Sequence, residues 1–204
     1  DEWSDDRGRL YGEAYAGTCA ALAGVLGATN VRMGSDHVFV DGVPMPRLGD
    51  GQNALAAWVA DVCGRWIIRE VNAGRTVPVD FAARMEGSVI VDAIDAHLPP
   101  LAQATLVERI RATFQRLTFL VGVEAPLTLC GLRRDEVVVL RREGDAVVGE
   151  PAPCDPRLRT ASELCSKFFG ADRLFPAYLG TALHRYGTLA SNPYRDDAED
   201  ATMR

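Results

Sequence analysis

The chain has 204 residues, of which 48% are apolar and 25% are charged, and its formal net charge is -6. This composition excludes collagen-like, fibrous and intrinsically disordered chains, and the length suits an ordinary globular domain. The acidic balance also argues against a dedicated nucleic-acid binder, because such proteins usually need a basic surface to displace counterions from phosphates. We therefore expect a soluble protein with no nucleic-acid partner.

The cysteines and the first residues bear on the cellular compartment. Five cysteines are scattered without a C-x-x-C pair, which is poor support for a disulfide framework or a structural zinc site. The chain opens with acidic residues, where a secretory signal would be basic, and no helix-like stretch has the roughly 20 strongly apolar residues of a membrane span. We expect reduced thiols, a cytoplasmic location, and no membrane, metal or cofactor.

Small side chains recur at every fourth position of the first predicted helix, residues 5–27. They are Gly8, Gly12, Ala16, Ala20 and Gly24. A ridge without large side chains lets another backbone approach closely, although each glycine costs a helix about 1 kcal/mol relative to alanine. Two interpretations are open: tight helix packing within one subunit, or a subunit interface along the first four residues of this ridge.

A hairpin and a long helix come next. Asp41-Gly42 lies between apolar runs within residues 37–45, which predicts a tight turn with positive φ. Pro44 cannot donate to a central ladder, so the second arm is predicted at an edge. Residues 52–73 predict a helix that is apolar over much of its circumference and therefore buried between neighbours.

The rest of the chain predicts two more helices, a β region and two last helices. The helices cover residues 80–97 and about 101–121, and Pro99-Pro100 separates them. The predicted strands are 126–132, 136–141 and 146–149. The last two helices are a short one, which follows the capping box Thr160-x-x-Glu163 and ends at Gly170, and one over about 172–189.

This order favours the α+β class, with about six helices packed with a β-hairpin and a short antiparallel meander. Strands do not alternate regularly with helices, so a parallel βαβ fold is not expected. Residues 1–190 are predicted to form a single globular domain, and residues 191–204 a polar acidic tail that frays.

Signature motifs of common enzymes are missing from the sequence. It contains no G-x-x-x-x-G-K-[ST] phosphate-binding loop, no G-x-G-x-x-G after a strand, no H-E-x-x-H and no G-x-S-x-G. Catalysis, if present, has to use residues outside these motifs.

The best catalytic candidates are Asp92, Asp95 and His97, near the end of the helix predicted over residues 80–97. Two carboxylates on one helix face could share a proton as an acid/base pair or bind a hard cation. The simpler interpretation is the solvated side of an amphipathic helix, with His97 as a packed or capping residue.

The candidate anion-binding residues are Arg133, Arg134 and Arg141, which lie in the only basic concentration of an acidic chain. Glu136 and Glu143 dilute this charge, which weakens the prediction of an anion site.

These observations favour a non-enzymatic protein that works by association, as a homo-oligomer or as a partner-binding module of a larger assembly. The alternative is a small pocket enzyme or ligand sensor that uses the acidic and histidine residues with the arginines to bind a small anionic ligand.

Overall fold

A computed structural model describes residues 2–34, 36–171, 176–192, 194 and 201, without the side chains of residues 2–11, 177 and 178. The helices are α1 (Glu2–Leu26), α2 (Asp50–Asn72), α3 (Phe81–Arg84), α4 (Pro100–Thr113), α5 (Ala161–Phe169) and α6 (Ala177–Ala190). The strands are β1 (Val31–Met33), β2 (Val38–Val40), β3 (Val43–Pro44), β4 (Gly87–Val91), β5 (Leu117–Val121), β6 (Val138–Glu143) and β7 (Ala146–Pro151). The mixed α+β class is confirmed.

The first part of the chain follows the prediction closely. α1 and α2 lie within a few residues of their predicted bounds. Asp41 and Gly42 have φ values of 49° and 84°, the left-handed turn that connects β2 with β3. Among the described strands β3 pairs with β2 alone, so Pro44 lies on an edge strand, as expected for a residue without an amide proton.

The helix predicted over residues 80–97 is wrong after its first turn. It ends at Arg84, and β4 begins at Gly87. Apolar residues four apart indicated a helix, but Val89-Ile90-Val91 is a β-branched run that fits a pleated strand better than a helix. The residues after Val91 form a loop.

β4, α4 and β5 form one β-α-β unit, which the sequence reasoning did not predict. The helix predicted over 101–121 stops at Thr113, and its last residues are β5. β5 pairs in parallel with β4, in the register Gly87 to Leu117 through Val91 to Val121. This unit is the only parallel pair in the part of the chain that the structure describes.

The β region after residue 122 is confirmed in part. Residues 126–131 form a 3₁₀ helix and not the predicted first strand of a meander. β6 and β7 form the predicted antiparallel hairpin. Thr160 caps α5 in a reciprocal pair with Glu163, also as predicted. Of the last predicted segments, residues 172–175 and most of 191–204 lie outside the described residues.

Two hydrophobic clusters hold these elements together. The larger one joins α1, α2, α4 and the inner face of β5. In it the rings of Trp58, Phe114 and Phe119 pack with centroids 5.9–6.2 Å apart. The smaller cluster joins β6 to α5 through Leu129, Val139, Ala152, Leu164 and Phe168. Val123 packs against both clusters and links them.

Among the described residues, no helix is long and apolar enough to cross a bilayer. The five cysteines are free thiols, and burial raises the pKa of Cys63 to about 12.

Candidate functional site

The predicted acidic candidates lie on the loop that follows β4, and not on a helix. Asp92 comes directly after the strand and is exposed. Asp95 is buried, with 1% of its surface exposed. His97 is exposed and has a φ of 59°. Because Asp92 directly follows β4, it lies at the carboxyl end of the parallel β4–β5 pair. Parallel sheets usually bind ligands at this end.

Asp95 connects the loops that follow the two parallel strands. Its Oδ1 accepts a hydrogen bond from the amide of Glu124 at 3.1 Å, and its Oδ2 accepts one from the amide of Ala125 at 3.0 Å. Both carboxylate oxygens are thus engaged by backbone, and the side chain fixes the loop that follows β5. The exposed Asp92 and the buried Asp95 do not form a pair of carboxylates on one face. The catalytic role of Asp92, Asp95 and His97 stays a prediction.

The three arginines predicted to bind an anion already contact other groups of the protein. Arg133 lies 3.1 Å from Asp135, whose carboxylate raises the pKa of the guanidinium. Arg134 donates to the carbonyl of Ala152 at 2.9 Å. The Nε of Arg141 donates to Glu150 across the β6–β7 hairpin at 2.7 Å. An anion would have to compete with these contacts, and the anion-binding role stays a prediction.

The small-residue ridge of α1 faces solvent at its first described positions, whereas Gly24 packs against α4, where an added Cβ would lie 2.4 Å from the hydroxyl oxygen of Thr113. Gly12, Ala16 and Ala20 are exposed, and no atom lies within 4 Å of a Cβ placed on Gly12. Gly8 belongs to the part of α1 that is described by its backbone alone. Close packing inside the chain also occurs at Gly17, which lies outside the ridge and where an added Cβ would lie 2.5 Å from the carbonyl oxygen of Val79. The ridge remains a candidate interface.

No three His, Cys, Asp or Glu side chains in the described part of the chain are grouped so that they could hold a metal ion.

Sequence reasoning missed a large apolar cleft between β5 and β6. Its volume is about 990 Å³, and it runs from α4 to the end of α5. Phe114 and Phe168, which belong to different hydrophobic clusters, both line it. The two continuous apolar runs 89–91 and 119–121 carried a signal for buried parallel strands. The strands were not recognised because apolar residues in the same segments are also spaced as on one face of a helix.

Comparison with known proteins finds no matching family model. Over its whole length the chain is 29% identical to the Septu protein PtuA of Bacillus mycoides (strain KBAB4), of which it covers 25%. It is 29% identical over 93 residues to the Retron Vc95 probable ATPase of Vibrio cholerae serotype O1 biovar El Tor, a match that covers 46% of this chain and 17% of that protein. It is also 30% identical over 80 residues to the Retron Ec83 probable ATPase of Escherichia coli, with 39% of this chain and 14% of that protein covered.

The chain thus spans a quarter of the length of PtuA. The matches to the two probable ATPases each cover less than half of this chain.

Proposed function

We propose that this chain is a partner-binding module of a larger ATP-hydrolysing assembly, and that it contributes part of the parallel sheet but not the phosphate-binding loop. Two of its relatives bear the name probable ATPase. P-loop ATPases hold the phosphates of ATP in a G-x-x-x-x-G-K-[ST] loop. This sequence has no such loop. In this proposal the loop lies on a polypeptide segment outside residues 1–204, which we call the P-loop segment.

The observation that carries the proposal is the uncovered outer face of the β4–β5 pair. Ile90 and Leu120 are cross-strand partners on this face, and they are 78% and 67% exposed. Parallel strands are almost always covered on both faces, because their connections place helices there. The apolar outer face therefore suits a sheet that is completed by polypeptide from elsewhere.

We assign to Asp92 a role at the nucleotide-binding site of the assembly. In P-loop ATPases an aspartate helps to hold Mg²⁺ beside the phosphates. Mg²⁺ keeps several waters and needs only one or two protein carboxylates, so a single exposed aspartate at the end of a parallel strand fits it. Residue 122 is glycine, which lets the Asp92 carboxylate lie against the end of β5, since an added Cβ there would lie 2.6 Å from Asp92 Oδ1.

The test is ATP turnover by the chain alone and after mixing with the P-loop segment, expressed as a separate polypeptide. We expect no turnover by the chain alone and Mg²⁺-dependent turnover by the mixture. Asp92→Asn should lower that turnover by about tenfold or more, since a charge near the developing phosphate charge is lost. Asp145→Asn is the matched control, because Asp145 is an exposed carboxylate in the turn of the β6–β7 hairpin.

Turnover by the isolated chain would contradict the proposal. So would an Asp92→Asn mixture that is as active as the unmodified one.

A further inference from the structure

Helix α6 has an apolar stripe that is uncovered in the part of the chain that the structure describes. Leu179, Leu183 and Tyr186 follow one another at spacings of four and three residues, so they lie on one face of the helix. They are 38%, 44% and 51% exposed. Among the described residues, neither hydrophobic cluster contains a side chain of α6. Because a short helix is stabilised mainly by packing of its apolar face, this stripe calls for a covering surface.

The opposite face of α6 is polar. His184, Arg185 and Thr188 lie on it and are exposed. The hydroxyl of Thr188 donates to the carbonyl of His184 at 3.0 Å, which satisfies this side chain within the helix. The helix therefore has one face for solvent and one face for a partner.

Two glycines border the apolar stripe on the same side. Gly180 and Gly187 are seven residues apart, and each directly follows a residue of the stripe. No atom lies within 4 Å of a Cβ placed on Gly187. A glycine weakens a helix but lets another backbone approach closely. This side of the stripe is therefore suited to close contact with a second helix.

A second copy of α6 complements this face when the two helices run antiparallel. A two-fold axis beside Leu183 sets the residues before Leu183 in one helix opposite those after it in the other. On one side of the contact, Leu179 then packs against Tyr186 of the second copy. On the other side, Gly180 lies opposite Gly187 of the second copy, and the backbones can approach there.

The charge of the chain also favours the antiparallel direction. Residues 195–200, which follow α6 in the sequence, contain four carboxylates and one arginine. In a parallel pair these two acidic segments start side by side and repel each other. In an antiparallel pair the carboxyl ends of the helices are separated by about 21 Å, the length of 14 helical residues, which exceeds the Debye length of about 8 Å. The same acidic charge disfavours an anionic membrane surface as the partner.

We propose that two copies of this chain associate through antiparallel pairing of their α6 helices, with Leu179, Leu183 and Tyr186 as the contact surface. This inference goes beyond the proposed function, because it requires only a second copy of the chain. It places a contact between copies at α6, separate from the small-residue ridge of α1. Two helices of 14 residues bury a small area, so we expect a dissociation constant of about micromolar or weaker.

Sedimentation equilibrium of the chain over roughly 5–500 µM tests the association. We expect the average mass to rise with concentration from that of one chain toward that of two. Leu183→Lys should raise the dissociation constant by about tenfold or more, because the two-fold axis sets the new charge against its own copy. Thr188→Lys is the matched control, since it adds the same charge to the polar face of the same helix. Circular dichroism of both variants checks that the fold is kept.

Cysteine cross-linking measures the direction of the pair. Leu179→Cys and Tyr186→Cys, one of them enlarged by a tag, are oxidised separately and as a mixture. The unmodified chain, with its five thiols, gives the background. In the antiparallel pair position 179 lies opposite position 186, so we expect a cross-link between the two variants and little cross-linking of either variant with itself.

Three results would overturn the inference. A chain that stays monomeric at the highest concentration has no such contact, and its cosedimentation with vesicles of anionic lipid would assign the stripe to a membrane surface instead. A dimer that Leu183→Lys leaves intact uses another surface. Cross-linking of each variant with itself, without a mixed product, would show a parallel pair.

Discussion

Ile90 and Leu120 face each other across the parallel pair β4–β5, and both side chains are mostly exposed. On the opposite face of the same strands, Val91, Phe119 and Val121 pack against the larger hydrophobic cluster. A strand pair that is apolar on both faces has the pattern of the interior of a parallel sheet. Among the described residues only one of the two faces is covered.

Exposure of Leu120 predicts that it contributes little to the stability of the isolated chain. Leu120→Ala should change the free energy of unfolding by no more than about 0.5 kcal/mol. Leu106→Ala should cost about 2–5 kcal/mol, because Leu106 is 1% exposed and its removal leaves a cavity. Urea unfolding of the two variants measures both values. Equal losses would show that Leu120 is already covered in the isolated chain.

Asp95 is predicted to stabilise the loops at the ends of β4 and β5. Asp95→Ala removes the acceptor of two backbone amides and should cost about 1–3 kcal/mol, since both donors are left without their partner. Asp92→Ala changes an exposed carboxylate and should leave the free energy of unfolding nearly unchanged. Thermal unfolding of the two variants compares them, and similar melting temperatures would contradict this role of Asp95.

Glu70 makes the stability of α2 depend on pH. Hydrogen bonding to Arg75, with Nη2 to Oε1 at 2.9 Å, lowers the pKa of Glu70 from 4.5 to about 2. Its folded pKa lies below the unfolded value, so its stabilisation is fully present above pH 4.5 and is lost as the pH falls toward 2.

Glu70→Gln should therefore reduce the loss of stability between about pH 6 and about pH 3, as measured by urea unfolding at both values. Asp61→Asn removes an exposed ion pair with Arg65 and serves as the control. If Glu70→Gln and the unmodified protein lose the same stability on acidification, the ion pair does not stabilise the folded state.

Two glycines of α1 are predicted to respond oppositely to substitution. Gly17→Ala should destabilise the chain, because the new Cβ would lie 2.5 Å from the carbonyl oxygen of Val79 and 2.6 Å from the Phe81 ring. Gly12→Ala should stabilise it by up to about 1 kcal/mol through helix propensity, since nothing lies within 4 Å of its Cβ. Thermal unfolding of the two variants measures both changes in stability. A destabilised Gly12→Ala variant would indicate that the ridge is already packed in solution.

Local signals predicted much of the fold. The Asp41-Gly42 turn and the capping pair Thr160 and Glu163 depend on neighbours in the sequence, and the structure shows both. β4 was missed because its apolar spacing also fits a helix, and only pairing with β5 decides between the two.

The candidate site was predicted less well. Asp92, Asp95 and His97 are close in sequence, so they were identified as a group, but on a helix that does not form. The bonds from Asp95 to the amides of Glu124 and Ala125 connect distant parts of the chain. The cleft depends on the edges of β5 and β6, which come together only through tertiary packing. No local pattern encodes such an arrangement.

Native mass spectrometry of the chain mixed with the P-loop segment tests the central claim most directly. We expect a complex of the two polypeptides that Leu120→Lys weakens and Ile68→Lys does not, since Ile68 is 61% exposed on α2. Separate masses for the two unmodified polypeptides at micromolar concentration would contradict the claim that this chain is a partner-binding module.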